Sequence, residues 1–383
     1  MKINMSAPST IVSVKSIALK APGRGEDLLV KISAPTTGGN LPIILFAHGN
    51  GSSLDGYSPL TDFWAAHGFV VIQPTFLDSR TVGLTHDDPR KPRIWRYRVE
   101  DMKRILDNLD LIESAVPGLS GRTDRSRIAA AGHSFGGQTA GNLLGLRVLD
   151  PETKKDVDLS DSRIKAGVLF ATAGQGGDNL TPFATENMPH LNVSFTHMTT
   201  PTLVIVGDQD YTPQKYQLTV RGPEWMSDPY FLSPGAESLL TLFGAEHSLG
   251  GIPGYEVTET TDENPEHVAL IQLVSWAYLC HALDIEHDNQ LTVRGPEWMS
   301  DPYFLSPGAE SLLTLFGAEH SLGGIPGYEV TETTDENPEH VALIQLVSWA
   351  YLCHALDIEH DSWSAVQKTL SEDPNPIGRI ESK

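Results

Sequence analysis

A chain of 383 residues, 40% hydrophobic and 20% charged, holds enough apolar material for one large domain or two. Its formal net charge of −22 argues against nucleic acid as a partner, because phosphates would be repelled. No run approaches the roughly 18 apolar residues of a membrane span, and MKINMSAPST carries no apolar signal segment, so the expectation is a cytoplasmic protein with no membrane partner.

The charge has a local origin. Residues Gln217 to Asp288 and Gln290 to Asp361 are the same 72-residue segment, identical at every position and separated by Asn289. Each copy contributes −11, and the rest of the chain is neutral. The two cysteines, Cys280 and Cys353, are one position read twice, so no disulfide framework is expected. Repeat arrays diverge and use shorter periods, so the expectation is a recent or artificial duplication laid on a 310-residue ancestor. The expected organisation is a domain over 1–288 that includes the first copy, a second copy over 290–361, and a tail over 362–383.

In chain order, Ile11 to Ala21 and Asp27 to Ala34 alternate apolar and polar residues around PGRGE, which predicts a hairpin at a sheet edge. LPIILFA, Leu41 to Ala47, is a continuous apolar run fit for a strand buried on both faces, and it ends in His48-Gly49-Asn50-Gly51. A helix around Pro59 to His67, a strand Phe69 to Pro74 and a long loop Thr75 to Arg96 follow. Tyr97 to Val116 then reads as one amphipathic helix, with Val99, Met102, Ile105, Leu106 and Leu109 on one stripe. Ile128 to Ala131 is a short buried strand, followed after a turn by a helix over QTAGNLLGLRVL. Ile164 to Thr172 and Thr202 to Gly207 are further strands, with Ala173 to Pro201 irregular between them. Each repeat copy offers a strand, SLLTLFGAEHS, and a helix beginning near NPEHVALIQLVSWAYL. This alternation implies an α/β class with a mostly parallel sheet, helices on both faces, and one surplus strand-helix segment.

The chemistry centres on Gly132-His133-Ser134-Phe135-Gly136, which matches G-x-S-x-G between a strand and a helix. A serine on such a turn exposes its hydroxyl, and the glycines let neighbouring backbone pass close by. The hydroxyl is a poor nucleophile at neutral pH and needs a base and a carboxylate to orient that base. On an open parallel sheet these belong at the C-terminal ends of later strands. PTLVIVG runs into Asp208-Gln209-Asp210, and SLLTLFGAE runs into His247.

These motifs, together with LPIILFAHGNGSSLDGYSPLTDFWAAHGFVVIQP and GHSFGG, resemble the α/β-hydrolase superfamily, in its chlorophyllase and dienelactone-hydrolase-like esterase branch, over roughly Leu41 to Asp284. The resemblance implies an α/β-hydrolase fold and a serine esterase needing neither cofactor nor metal and acting on a small-molecule ester. It implies Ser134 as nucleophile, Asp210 as triad acid with Asp208 as the fallback, and His247 as base. Phe135 and Asn50 are the implied N–H donors of the oxyanion hole. The elbow of the chlorophyllase type usually carries a basic residue where this chain has Phe135, which tells against chlorophyll as the substrate. A thioester, lactone or polyester on the same triad, and a binding protein disabled by the duplication, stand as alternatives. Phe76, Trp95 and Phe183 are candidate pocket residues.

The duplication supplies a competing histidine, His320. Asp210 is 37 residues from His247 and 110 from His320, and closing the longer loop costs only about 1 kcal/mol more. That difference, and earlier emergence during synthesis, favour His247. The unused copy predicts self-association, since its apolar strand and helix have no reserved place in one sheet.

Overall fold

The alternating residues of the first fifty positions form β1 (Ile11–Leu19) and β2 (Leu28–Pro35), an antiparallel hairpin whose first strand lies at the sheet edge. The computed structural model describes residues 8–256, 262–285, 311–315, 337–355, 361–372, 374 and 378–382. The chain divides into two units, Met1–Leu291 and Thr292–Lys383.

In the first unit, β3 (Leu41–Ala47) is buried at all seven positions. Its side chains alternate between two cores: Ile43, Leu45 and Ala47 enter one, Ile44 and Phe46 the other. Helix α1 (Ser58–Ala66) leads to β4 (Val70–Pro74). The single helix expected over Tyr97 to Val116 is instead two, α2 (Ile94–Asp107) and α3 (Leu109–Ser114). Asn108 breaks it: its backbone leaves the helical region, and its side chain donates to Arg104 O at 2.8 Å, competing with the helix ladder.

Strand β5 (Thr123–His133) is longer than expected because only its last six residues are buried, and the apolar pattern is confined to that half. Helix α4 (Phe135–Leu144) stops at Gly145, φ 114°, and does not continue to Leu149. The residues beyond it form β6 (Arg147–Leu149), which pairs with β7 (Asp156–Asp158) and β9 (Val193–Ser194) in a small antiparallel sheet. Strand β8 (Ile164–Phe170) precedes the segment expected to be irregular. That segment carries β9, the short helix α5 (Pro182–Asn187) and two turns of 3₁₀ helix. The unit closes with β10 (Thr202–Gly207), α6 (Thr212–Lys215), α7 (Asp228–Leu232), β11 (Ala236–Leu242) and α8 (Pro265–Ala282).

The main sheet has the order β1-β2-β4-β3-β5-β8-β10-β11. All pairings from β4 to β11 are parallel, and only β1–β2 and β2–β4 are antiparallel. Helices α2 and α4 cover one face; α1 and α8 cover the other. Three side-chain bonds tie α8 to α1 and the turn after it: Trp64 Nε1 to Ser275 Oγ at 3.0 Å, Gln272 Nε2 to Pro59 O at 2.7 Å, and Trp276 Nε1 to His67 O at 3.2 Å. This is the α/β-hydrolase fold, with the elbow between β5 and α4.

In the second unit, β12 (Ser311–Leu315) pairs antiparallel with β13 (Gly378–Ser382). The helix Pro338–Ala355 buries Leu343, Val347 and Ala350 with Val366 of the helix Asp361–Glu372. Among the described residues, no helix is long and apolar enough to cross a membrane.

Candidate active site

Ser134 sits between β5 and α4 with φ 56° and ψ −121°, a left-handed backbone that costs a non-glycine residue on the order of 1–3 kcal/mol. The surroundings hold it there. Its N–H donates to Phe170 O of β8 at 2.8 Å, and the glycines on either side have no room for a Cβ. A methyl on Gly132 would strike Gly136 O, one on Gly136 would strike Ala47 O, and one on Gly137 would strike Thr172 Oγ1. The third glycine, Gly137, thus brings α4 close to Thr172, two residues past the end of β8.

Asp210 and His247 reach Ser134 from the ends of β10 and β11. His247 Nε2 lies 2.9 Å from Ser134 Oγ, and His247 Nδ1 lies 2.6 Å from Asp210 Oδ2. An ionised carboxylate only accepts, so Nδ1 carries the proton and Nε2 is free to accept the serine proton. Asp210 is 0% exposed. Burial alone would raise its carboxyl, but the His247 hydrogen bond and charge and the Thr212 N–H at 3.0 Å outweigh burial and hold it below the ordinary value. Asp208 does not take this place; its carboxylate accepts the Gly244 N–H at 2.7 Å and closes the turn after β11. His320, the competing histidine, lies outside the described residues.

Asn50 and Phe135 flank the serine from two elements. Phe135 opens α4, where Gly137 and Gln138 N–H both turn to Ser134 O. Asn50 is exposed in the loop after β3, and that loop runs against the elbow: a Cβ on Gly136 would lie 2.6 Å from His48 O. Among the described residues, neither the Asn50 N–H nor the Phe135 N–H donates to a backbone carbonyl outside the regular helix and strand ladders.

The pocket candidates separate. Phe76 is 0% and Trp95 3% exposed, both within the core, whereas Phe183 of α5 is 44% exposed. The Phe76 ring packs on His48 at 4.8 Å beneath the Asn50 loop, a supporting rather than an open position. From the same region as Phe183, His190 stacks on Phe135 at 5.2 Å, and its carbonyl accepts from Gln138 Nε2 at 2.7 Å. Burial and then the Arg98 charge push the His190 imidazole down to about 4. A cavity of about 670 Å³ opens beside this segment, lined among others by Leu149, Leu180, Pro182 and Pro189; its lining contains no member of the Ser134, His247 and Asp210 set.

Three residues that sequence reasoning passed over hold these loops. Arg98 of α2 is fully buried; it donates to both oxygens of Asp78, to His48 O and to Thr139 Oγ1. Asp262 is 8% exposed and accepts Glu246 N–H at 2.9 Å and Gly250 N–H at 3.2 Å, bracketing His247. Tyr57 connects the Gly49 N–H to His133, at 3.0 and 2.9 Å. No periodicity signals such contacts. The only sequence trace is the unusual buried charge of Arg98 on the apolar side of an amphipathic helix.

A family model described as Chlorophyllase matches residues 7–158. The chain is 30% identical over 189 residues to cutinase 2 of Thermobifida cellulosilytica, covering 49% of this chain and 53% of that protein. It is 29% identical over 186 residues to cutinase est2 of Thermobifida alba, covering 48% and 45%. With the platelet-activating factor acetylhydrolase of Cavia porcellus it shares 29% identity over 138 residues, covering 27% and 31%. The chain thus spans about half the length, or less, of the curated relatives it matches. Family model and relatives agree on a likeness to α/β-hydrolase esterases.

Proposed function

We propose that this chain is a carboxylic ester hydrolase working through an acyl-enzyme. The observation that carries the reading is the unbroken series Ser134 Oγ, His247, Asp210, with spacings of 2.9 and 2.6 Å, on a serine held in left-handed backbone. Likeness to proteins named cutinase and acetylhydrolase supports it.

Ser134 Oγ attacks the ester carbonyl carbon, and as that bond forms its proton passes to His247 Nε2. The negative oxygen of the tetrahedral intermediate takes hydrogen bonds from Phe135 N–H and Asn50 N–H, each worth about 10² to 10³ in rate. Collapse breaks the bond to the alkoxy group, which takes the proton from His247 and leaves as an alcohol. Water then attacks the acyl carbon while giving a proton to His247. The second collapse returns that proton to Ser134 and frees the carboxylic acid. Asp210 holds the Nδ1 proton throughout and stabilises the imidazolium.

The test is hydrolysis of short and medium p-nitrophenyl esters, with covalent labelling by a fluorophosphonate. Ser134→Ala and His247→Ala are each expected to lose about 10³-fold or more in kcat, while His320→Ala keeps full activity. A protein that cleaves none of these esters and takes up no label would overturn the reading.

A further inference from the structure

We propose that Tyr57 is a positioning residue that, with His133, fixes the Asn50 loop relative to the His247 loop, so that the oxyanion donor and the general base keep one geometry. The inference rests on the esterase reading and adds residues that no step above uses.

His133 Nε2 lies 2.7 Å from His247 O, Tyr57 Oη lies 2.9 Å from His133 Nδ1, and Gly49 N lies 3.0 Å from Tyr57 Oη. A carbonyl oxygen only accepts, so His133 Nε2 must carry the proton. Burial, then the neighbouring His247, push the His133 imidazole down to about 3, so the ring is neutral and Nδ1 accepts. Tyr57 therefore donates its hydroxyl proton to His133 and accepts the Gly49 N–H on its oxygen. Every proton has one place, and the series runs from the residue before Asn50 to the backbone of His247.

A second set of observations points the same way. Tyr57 has φ 64°, uncommon for an aromatic residue, and is 2% exposed. Its N–H donates to Pro253 O at 2.9 Å, six residues beyond His247, so backbone and side chain both reach that loop. Its ring packs on Phe46 at 4.8 Å and on His133 at 5.6 Å. At Gly49 a Cβ would stand 2.7 Å from Tyr57 Oη, so only glycine lets the hydroxyl approach the chain there. Strained backbone kept by several independent contacts is characteristic of sites where geometry matters.

The experiment compares Tyr57→Phe, His133→Leu, His133→Gln and the double variant Tyr57→Phe/His133→Leu with the unaltered chain. Ester turnover and amide hydrogen exchange are measured for all of them. Tyr57→Phe keeps the ring and removes the hydroxyl. Its kcat is expected to fall about 10- to 100-fold with KM nearly unchanged, since a donor displaced by about 1 Å costs that much without altering ground-state binding. His133→Gln retains a donor and an acceptor and should recover most of what His133→Leu loses. The double variant should be no worse than the poorer single one, because the residues act as a unit. Exchange should quicken in residues 48–51 and 247–251 together. Additive losses, a loss in KM alone, or exchange that quickens in only one loop would overturn the proposal. The exchange result decides the coupling even if the chain cleaves no ester, which separates this proposal from the esterase reading.

Discussion

Arg98 Nη1 sits 2.8 Å from Asp78 Oδ1 and 2.7 Å from Asp78 Oδ2, with the arginine side chain 0% and the aspartate side chain 7% exposed. The guanidinium lies over Phe76 at 4.1 Å and over Phe135 at 4.5 Å. Burial alone would raise the Asp78 carboxyl, but the Arg98 charge, the neighbouring His48, the Gly51 N–H and the Arg98 hydrogen bond together outweigh it and hold the group below its ordinary value. Asp78 accepts the Gly51 N–H at 3.2 Å while Arg98 donates to His48 O, so the pair grips the Asn50 loop from both sides.

Arg98→Met removes the cation and leaves Asp78 buried without its partner. The expected cost is about 3–5 kcal/mol, read as a drop in the urea midpoint at neutral pH. Arg98→Lys should recover little, because one ammonium cannot reproduce a planar fork that serves a carboxylate, a hydroxyl and a carbonyl at once. A midpoint in Arg98→Met equal to that of the unaltered chain would show that the pair carries no stability.

Ser134, Asp210 and His247 each stand just past an apolar strand, so strand recognition plus the chemistry of a serine nucleophile finds them. Arg98, Tyr57 and Asp262 lie on a helix, at a helix start and in a loop, and their roles come from neighbours 20 to 76 residues away along the chain, or from the backbone of a loop they face. Local pattern holds no trace of such partners. The repeat makes the same point in one helix. Trp276 is 5% exposed and Leu270 41%, whereas the equivalent Trp349 is 53% exposed and Leu343 7%. One sequence buries different faces because PEHVALIQLVSWAYLCHA is apolar all round, and the surrounding unit decides which face turns inward.

His133 gives the fold an acid limit. Its imidazole titrates at about 3 in the fold against an ordinary value of 6.5, in contact with Tyr57 and His247 and within the field of Asp210. Below pH 6.5 the unfolded chain takes a proton that the folded chain refuses. The stability this group contributes is therefore complete above pH 6.5 and is lost as pH falls toward 3, at about 1.4 kcal/mol per pH unit. His190, pushed down to about 4, acts in the same direction. Between pH 7 and pH 5 the His133 share is about 2 kcal/mol. Urea midpoints at the two pH values should differ less in His133→Gln than in the unaltered chain, with the His190 share remaining. Equal pH slopes in the two proteins would contradict the assignment.

Because the copies are identical, deleting Gln217 to Asn289 leaves the same 310-residue chain as removing the other copy with Asn289. In the first unit, residues 217–288 provide β11, the His247 loop and α8, each joined to the sheet or to α1 by specific bonds: β11 to β10 in parallel, His247 to Ser134 and Asp210, and Ser275 to Trp64. A single copy carries every one of those residue types in the same order. The 310-residue protein is thus expected to keep fluorophosphonate labelling and ester turnover equal to those of the full chain. In the full chain, Leu346 and Trp349 are 49% and 53% exposed one helical turn apart, and we propose that this apolar face promotes association between molecules. Light scattering at rising concentration should then show association in the full chain and less of it in the shortened one. Loss of labelling on deletion would mean that the first unit needs both copies, and equal scattering would clear the exposed face of any part in association.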